Sequence, residues 1–176
     1  MTRSLATLAA VLCLGAAALP AAASAEVRAA EAGGFQVAGQ ITVARPREAV
    51  WSVLLAPEGW WSAQHRWFEG STLSLDPRPG GCWCETGPDG AGAMHLIVGF
   101  IHPPETLQLL GALGPLQGLG LDGVLTLTVK AVEGGSEVSW LYTVTGFQPG
   151  GVAGLATPVD GVLAEQMGRL KAAAEA

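Results

Sequence analysis

The fold is decided by one segment near the C-terminus, Thr157-Pro158-Val159-Asp160-Gly161-Val162-Leu163-Ala164-Glu165-Gln166-Met167-Gly168-Arg169-Leu170. Its apolar positions recur every three or four residues, which is the period of one helix face. The threonine is a suitable N-cap and the proline fits a first turn, so we predict the longest helix over residues 158–174. The face that this helix buries consists of Val159, Val162, Leu163, Gln166, Met167 and Leu170.

The chain before this helix is dominated by period-2 alternation, which is typical of strands. A first strand over 35–43 ends before Pro46, which opens a short helix, and a second short helix follows around 60–65. Further strands are predicted at 71–75, 82–85, 94–101, 106–110, 124–132 and 137–145, with tight turns at Asp89-Gly90 and Gly134-Gly135. All neighbours are expected to be antiparallel. The result is an α+β domain in which a curved sheet wraps around the last helix.

Composition limits the classes of function. The chain has 176 residues, of which 49% are hydrophobic and 14% charged, and a formal charge of −6. A chain of this size buries enough surface to fold without a metal or a disulfide, and no cofactor is predicted. Its few basic residues are scattered, which argues against binding to nucleic acid.

The N-terminus has the pattern of a targeting segment. Residues 1–25 contain Arg3, an apolar stretch and the small residues Ala23-Ser24-Ala25, which predicts a signal peptide cleaved before Glu26. We therefore expect an exported protein, periplasmic or secreted, with a mobile leader over 26–34 and one domain over 35–176. No later segment is long enough for a membrane-spanning helix.

Known catalytic motifs give little support to an enzyme. Gly118-Leu119-Gly120-Leu121-Asp122-Gly123 matches a dinucleotide fingerprint, but it precedes a predicted strand instead of following one, so we interpret it as a flexible loop. The three histidines are dispersed and no hydrolase motif occurs. His95 and Tyr142 are the weak candidates for an acid or base.

Cys82-Trp83-Cys84 is the most unusual local feature. Alternate residues of a strand lie about 7 Å apart on one face, at the edge of disulfide reach, so packed thiols are the default expectation. A two-residue turn at Asp89-Gly90 places Cys84 opposite His95. Two thiols and an imidazole would then cluster, which leaves a metal site as a minor alternative.

Large apolar side chains are the candidates for a ligand site. Core packing explains most of the six tryptophans, but some are expected to line a cavity. The predicted ligand contacts are Trp51, Trp60, Trp83, Met94, Phe100, Trp140, Tyr142, Leu163, Gln166 and Met167. Gln166 is the polar member of the helix face, so its amide needs a partner, either a ligand or water in the cavity, or a sheet residue such as Tyr142. On the first alternative, Gln166→Leu weakens ligand binding and leaves the melting temperature unchanged or higher.

Four motifs in this order resemble those of the SRPBCC (START/Bet v 1-like) superfamily: Pro46-Arg47-Glu48-Ala49-Val50-Trp51, Leu75-Asp76-Pro77-Arg78-Pro79-Gly80-Gly81, Pro103-Pro104-Glu105-Thr106-Leu107 and Thr143-Val144-Thr145-Gly146-Phe147. Within it, residues 35–174 are most similar to the polyketide cyclase and Hsp90 ATPase activator homologue 1-like branch. The resemblance implies a helix-grip fold with an apolar cavity between the sheet and the last helix. Members bind lipids, steroids, polyketides or plant hormones, and some are cyclases or hydrolases.

Three functional hypotheses follow. The first is an exported binder of a hydrophobic small molecule, held between the sheet and helix 158–174, in a monomer or weak dimer. The second is a cyclase- or hydrolase-like enzyme acting on an aromatic or polyketide-like substrate in the same cavity. The third is a protein-interaction module. A cavity of several hundred cubic ångströms favours the first hypothesis, turnover sensitive to His95→Ala the second, and a filled, closed core the third.

Overall fold

A computed structural model describes residues 24–176. Its elements are β1 (Ser24–Glu31), β2 (Gly34–Val43), α1 (Arg47–Leu54), β3 (Thr72–Leu75), β4 (Cys82–Thr86), β5 (Gly92–His102), β6 (Thr106–Leu110), α2 (Pro115–Gly118), β7 (Asp122–Val132), β8 (Gly135–Thr145) and α3 (Ala156–Glu175). The strands form one antiparallel sheet in the order β1-β2-β8-β7-β6-β5-β4-β3. The sheet curves around α3, which has 20 residues, so the predicted helix-grip α+β fold is confirmed.

The core lies between the concave face of the sheet and α3. One row crosses four strands, since Val37 is paired with Tyr142, Tyr142 with Leu125, and Leu125 with Leu109. All four side chains are fully buried, as is Met167 of α3. Burial of one such side chain contributes roughly 1.5–3 kcal/mol, so this row and the apolar face of α3 hold the helix on the sheet.

The N-terminal part of the domain differs from the prediction. The predicted signal peptide lies outside the described residues except for Ser24 and Ala25, but the predicted mobile leader is wrong. Residues 24–31 form β1, which is paired with β2 from Ser24 opposite Gln40 to Glu31 opposite Gly34. The strand is held at the edge of the sheet by backbone pairing and exposes most of its side chains. Its sequence therefore lacks the apolar alternation from which a strand is predicted.

The predicted short helix around 60–65 forms instead as two 3-10 turns, Pro57–Gly59 and Ala63–His65. The second turn begins after Ser62, whose hydroxyl accepts a hydrogen bond from the Gln64 backbone N–H at 3.3 Å. These turns place Trp60, Ser62 and His65 against Gln166 and Arg169 in the interior of α3. Within residues 24–176, no helix is long and apolar enough to cross a bilayer.

β4 and β5 pair with an irregular register. Cys82 lies opposite Ile97, but the register shifts between Trp83 and Cys84, so Cys84 lies opposite Met94 and not His95 as predicted. A second shift, between β5 and β6, follows Val98. Because side chains alternate across a strand, each irregularity reverses the face that the next residues occupy.

Candidate functional site

A cavity of about 370 Å³ opens between the N-terminal half of α3 and the loops at one end of the sheet. This volume falls in the range of small-molecule sites. Most of its wall is apolar, and four polar residues interrupt it. The lining residues are Trp61, Gln64, His65, Arg66, Trp67, His95, Leu113, Gly114, Pro115, Leu116, Leu155, Pro158, Val159, Val162 and Leu163.

Three indole rings, one in the wall and two in the core behind it, form an aromatic cluster beside the cavity. Trp61 lines the cavity and meets Trp83 edge to face at a centroid distance of 5.0 Å, while Trp60 contacts both rings at 5.7 and 5.9 Å. Such edge contacts between aromatic rings are favourable beyond simple burial. The Trp61 indole N–H also donates to the His65 carbonyl at 3.1 Å. The core therefore fixes the orientation of this part of the wall.

Glu85 is a buried carboxylate that organises the opposite wall. It accepts hydrogen bonds from the backbone N–H groups of Trp67 and Phe68 at 3.0 and 2.9 Å, and it lies 2.8 Å from Nε2 of His95. Burial by itself raises the pKa of Glu85. The nearby Ser71 hydroxyl, the two N–H groups and His95 outweigh burial and hold the pKa below its usual value. One ionised side chain thus anchors the 67–68 loop and orients an imidazole that lines the cavity.

Gln166 performs the corresponding role for His65. Its Oε1 accepts the Ser62 backbone N–H at 2.8 Å, and its Nε2 lies 2.7 Å from Nδ1 of His65. Both ends of the amide therefore have protein partners, and the side chain is fully buried. The expectation that a ligand or water satisfies this amide is corrected. Its partners also differ from the sheet residue Tyr142 that was considered, because the 3-10 turns bring Ser62 and His65 onto α3.

Arg66 brings a charge to the cavity, and that charge is paired. Its Nη1 donates to both carboxylate oxygens of Glu58, at 3.2 and 3.0 Å, and to the Ser71 carbonyl at 2.8 Å. The Leu73 backbone N–H donates to the same carboxylate at 2.6 Å. This backbone hydrogen bond and the guanidinium hold the pKa of Glu58 below its usual value, against partial burial. The pair is a structural clamp beside the cavity.

Tyr142 does not line the cavity but lies behind its wall, where it contacts the loop that carries Leu113. Its hydroxyl accepts the Leu113 backbone N–H at 2.9 Å and donates to the Gly111 carbonyl at 3.2 Å. Burial raises the pKa of Tyr142 to about 12, so the phenol keeps its proton over the ordinary pH range. Tyr142 therefore positions the loop that carries Leu113 to Leu116, and the geometry gives it no role as a base.

The other predicted ligand contacts are divided between core and surface. Leu163 lines the cavity, as does His95, the candidate acid or base. The indoles of Trp51, Trp60, Trp83 and Trp140 and the Met167 side chain are buried in the core. That these residues contact a ligand stays a prediction.

Met94 and Phe100 lie elsewhere, with exposed fractions of 52% and 51%, which corrects their assignment to the cavity wall. Both share the parity of the buried residues Leu96 and Val98. The two register shifts lie on either side of that buried pair and turn Met94 and Phe100 to the outer face.

The predicted cluster of Cys82, Cys84 and His95 does not form. The two cysteines are joined by a disulfide with their Cα atoms 5.3 Å apart, so the expectation of packed free thiols is wrong as well. This Cα distance is shorter than the roughly 7 Å between alternate residues of a regular strand and lies within disulfide reach. Residues 24–176 contain no group of three or more side chains suited to bind a metal ion.

Glu85 and His65 fix the two polar ends of the cavity, and neither is among the site residues predicted from the sequence. Glu85 could have been identified from its spacing, because it follows Trp83 by two residues and therefore faces the core on the same strand. A buried carboxylate requires several hydrogen-bond donors, and this requirement points to a nearby loop. His65 carries no comparable signal, because its position depends on the 3-10 turns.

Comparisons with known proteins agree with this architecture. The family model described as polyketide cyclase / dehydrase and lipid transport matches residues 34–175. Protein CV1439 from Chromobacterium violaceum is similar in structure, with a TM-score of 0.57, 18% identity and coverage of 80% of this chain and 97% of that chain. Protein MLL2253 from Mesorhizobium loti has a TM-score of 0.58 and 17% identity over 78% of this chain and 95% of that chain.

CalU16 from Micromonospora echinospora has a TM-score of 0.55 and 17% identity over 85% of this chain and 81% of that chain. At these identities the likeness supports the fold alone. No curated protein matches the chain. The match of the family model extends from β2 to the penultimate residue of the chain, and we conclude that this chain belongs to the polyketide cyclase / dehydrase and lipid transport family of the SRPBCC superfamily.

Proposed function

We propose that this protein binds an apolar small molecule in the cavity between α3 and the loops at 61–67 and 113–116. The observation that carries the proposal is the cavity of about 370 Å³, whose wall is mainly apolar. Such a cavity with a few fixed polar groups is the usual form of a small-molecule site. A filled core would have favoured an interaction module, so the cavity supports binding over that third hypothesis.

A fluorescence titration tests the proposal. The neutral, environment-sensitive probe 6-propionyl-2-(dimethylamino)naphthalene is expected to bind the wild-type protein with increased emission. Val162 lines the cavity and is half-buried, so Val162→Trp fills the space and is expected to weaken binding at least tenfold. Val132→Trp, at an exposed position ten residues along β7 from its cavity-side end, is the matched control and should bind like wild type. Equal binding by all three proteins would rule out this cavity as the site.

We further propose that the protein acts after export, with residues 1–25 removed as a signal peptide. The support is the sequence pattern of a basic residue, an apolar stretch and Ala23-Ser24-Ala25. N-terminal sequencing of native protein is expected to begin at Glu26. Recovery of intact Met1 from purified native protein would contradict export by this route.

A second candidate function is enzymatic turnover in the same cavity, and the contact between His95 and Glu85 favours it. A carboxylate at 2.8 Å from Nε2 holds the imidazole in a fixed orientation, as in general-base pairs. The test is incubation of the protein with an apolar extract of its source cells, followed by mass spectrometry. Conversion of a compound by wild type but not by His95→Gln supports an enzyme. Recovery of the same compound unchanged, but bound, supports a carrier.

A further inference from the structure

Two histidines line the cavity, and one ring nitrogen of each is bonded to a side chain that lies outside the cavity wall. His65 is bonded through Nδ1 to Gln166, and His95 through Nε2 to Glu85. In a neutral imidazole one nitrogen donates a hydrogen bond and the other accepts one. The partner on the protein side therefore determines what the remaining nitrogen offers to a ligand.

At His65 the remaining nitrogen is a donor. Oε1 of Gln166 is identified by the Ser62 backbone N–H that donates to it, so the amide end near His65 is the NH₂ group. An NH₂ group donates, hence Nδ1 of His65 accepts and Nε2 carries the proton. A ligand that contacts His65 must then supply an acceptor such as a carbonyl oxygen.

At His95 the remaining nitrogen is an acceptor. Glu85 accepts two backbone N–H groups and has a lowered pKa, so it is an ionised carboxylate and can only accept from Nε2 of His95. The neutral ring then has its lone pair on Nδ1. A ligand that contacts His95 must supply a donor such as a hydroxyl group.

The cavity favours a neutral ligand. Among the lining residues that the structure describes, the one ionisable side chain besides the two histidines is Arg66. Its guanidinium is already paired with Glu58. A ligand carboxylate would have to compete with that pair or remain buried without a counter-charge, which is unfavourable. We propose, on the basis of the binding function above, that the ligand is a neutral apolar molecule with a carbonyl group at His65 and a hydroxyl group at His95.

Competition binding with isosteric naphthalenes tests each contact without assuming a spacing between the two groups. Each compound displaces 6-propionyl-2-(dimethylamino)naphthalene from the protein. 2-Naphthol is compared with 2-methylnaphthalene, and 2-acetylnaphthalene with 2-isopropenylnaphthalene, so that one polar atom differs in each pair. We expect each polar compound to bind about tenfold more tightly than its apolar isostere, the effect of about one well-formed hydrogen bond. 2-Naphthoate is expected to bind more weakly than 2-acetylnaphthalene.

Two aromatic variants assign the preferences to residues. His95→Phe keeps a flat ring and removes the Nδ1 acceptor, and it should abolish the preference for 2-naphthol alone. His65→Phe keeps a flat ring and removes the Nε2 donor, and it should abolish the preference for 2-acetylnaphthalene alone. If either variant fails to fold, the affinities of the two polar compounds relative to their apolar isosteres, measured on the wild-type protein, still test the proposal.

The outcomes separate this inference from the proposed function. Three results would overturn the inference while leaving a binding cavity. The first is an affinity ratio of polar compound to apolar isostere near one on the wild-type protein. The others are ratios unchanged in both folded variants, or tightest binding by 2-naphthoate. Failure of the fluorescent probe itself to bind would overturn both.

Discussion

At the scale of single residues, the site depends on polar side chains that have their partners inside the protein. Gln166, Glu85 and Tyr142 each hold a loop or a ring in place, and the cavity wall is the result. The sequence identified Gln166 because it interrupts the apolar face of the last helix, and Tyr142 as a candidate acid or base. It could not assign their roles, since their partners lie in 3-10 turns and loops that have no periodic pattern.

Gln166→Leu tests the corrected role of this residue. The substitution leaves the Ser62 backbone N–H and the protein-facing nitrogen of His65 without partners in a buried place. An orphaned polar group costs about 1–3 kcal/mol, so the free energy of unfolding of the ligand-free protein should fall by about 2 kcal/mol in urea denaturation. A melting temperature equal to or above that of wild type would restore the ligand-facing interpretation.

Glu85→Gln is expected to destabilise the protein in a pH-dependent manner. The folded-state pKa of Glu85 lies below the 4.5 of an ordinary glutamate, so its stabilising effect is present above that pH and is lost as the pH falls through the folded pKa. The stability difference between wild type and Glu85→Gln should therefore be largest near pH 7 and decrease below pH 4.5. Denaturation curves from pH 7 to pH 3 measure it, and a constant difference would contradict an ionised Glu85.

At the scale of elements, regular strands and α3 follow from periodicity, and the irregular β5 does not. The strand pattern predicts β5 within about two residues at each end, and yet the two shifts in its pairing change which side chains face the cavity. A one-residue slip reverses a face without changing composition. For this reason His95 enters the cavity wall while Met94 and Phe100 leave it.

Gly123→Ala tests how a strand supports the loop above it. A Cβ at this position would lie 2.8 Å from Cε2 of Tyr142 and 2.9 Å from the Gly111 carbonyl, so the tyrosine that anchors Leu113 must move. Overpacking of this kind costs about 1–3 kcal/mol. We expect lower stability together with weaker probe binding. Gly59→Ala, where no atom lies within 4 Å of the added Cβ, is the control. Unchanged binding by Gly123→Ala would show that the Tyr142 anchor does not shape the cavity.

The disulfide between Cys82 and Cys84 is expected to contribute little to stability. It closes a very short loop within one strand, and the chain entropy removed by such a loop corresponds to only about 1–2 kcal/mol. The double serine variant should melt cooperatively and within a few degrees of the oxidised wild type, as differential scanning calorimetry can show. Loss of the cooperative transition would indicate that the bridge maintains the irregular pairing of β4 with β5.

At the scale of the whole molecule, the region that matches the family model can be distinguished from β1, which lies outside the match. The family match begins at residue 34, where β2 begins, and the sequence predicted that part of the fold because its strands alternate and its last helix has a strong apolar face. β1 precedes the match and covers the free edge of β2 through backbone pairing. Backbone hydrogen bonds do not depend on side-chain type, so this addition had no sequence signature.

At the same scale, removal of β1 is expected to make the protein associate with other copies of itself. A chain beginning at Gly34 keeps the concave core and α3, so it should fold with a cooperative but weaker transition than a chain beginning at Glu26. Its β2 edge would expose unpaired backbone groups, which are a template for pairing with another molecule. Sedimentation velocity over a range of concentrations should show dimers or larger species for the shorter chain and monomers for the longer one. Gln40 is exposed on β2, and Gln40→Lys in the shorter chain adds a charge that opposes edge pairing, so it should reduce the association. A shorter chain that stays monomeric at high concentration would show that β1 is not needed to protect the sheet edge.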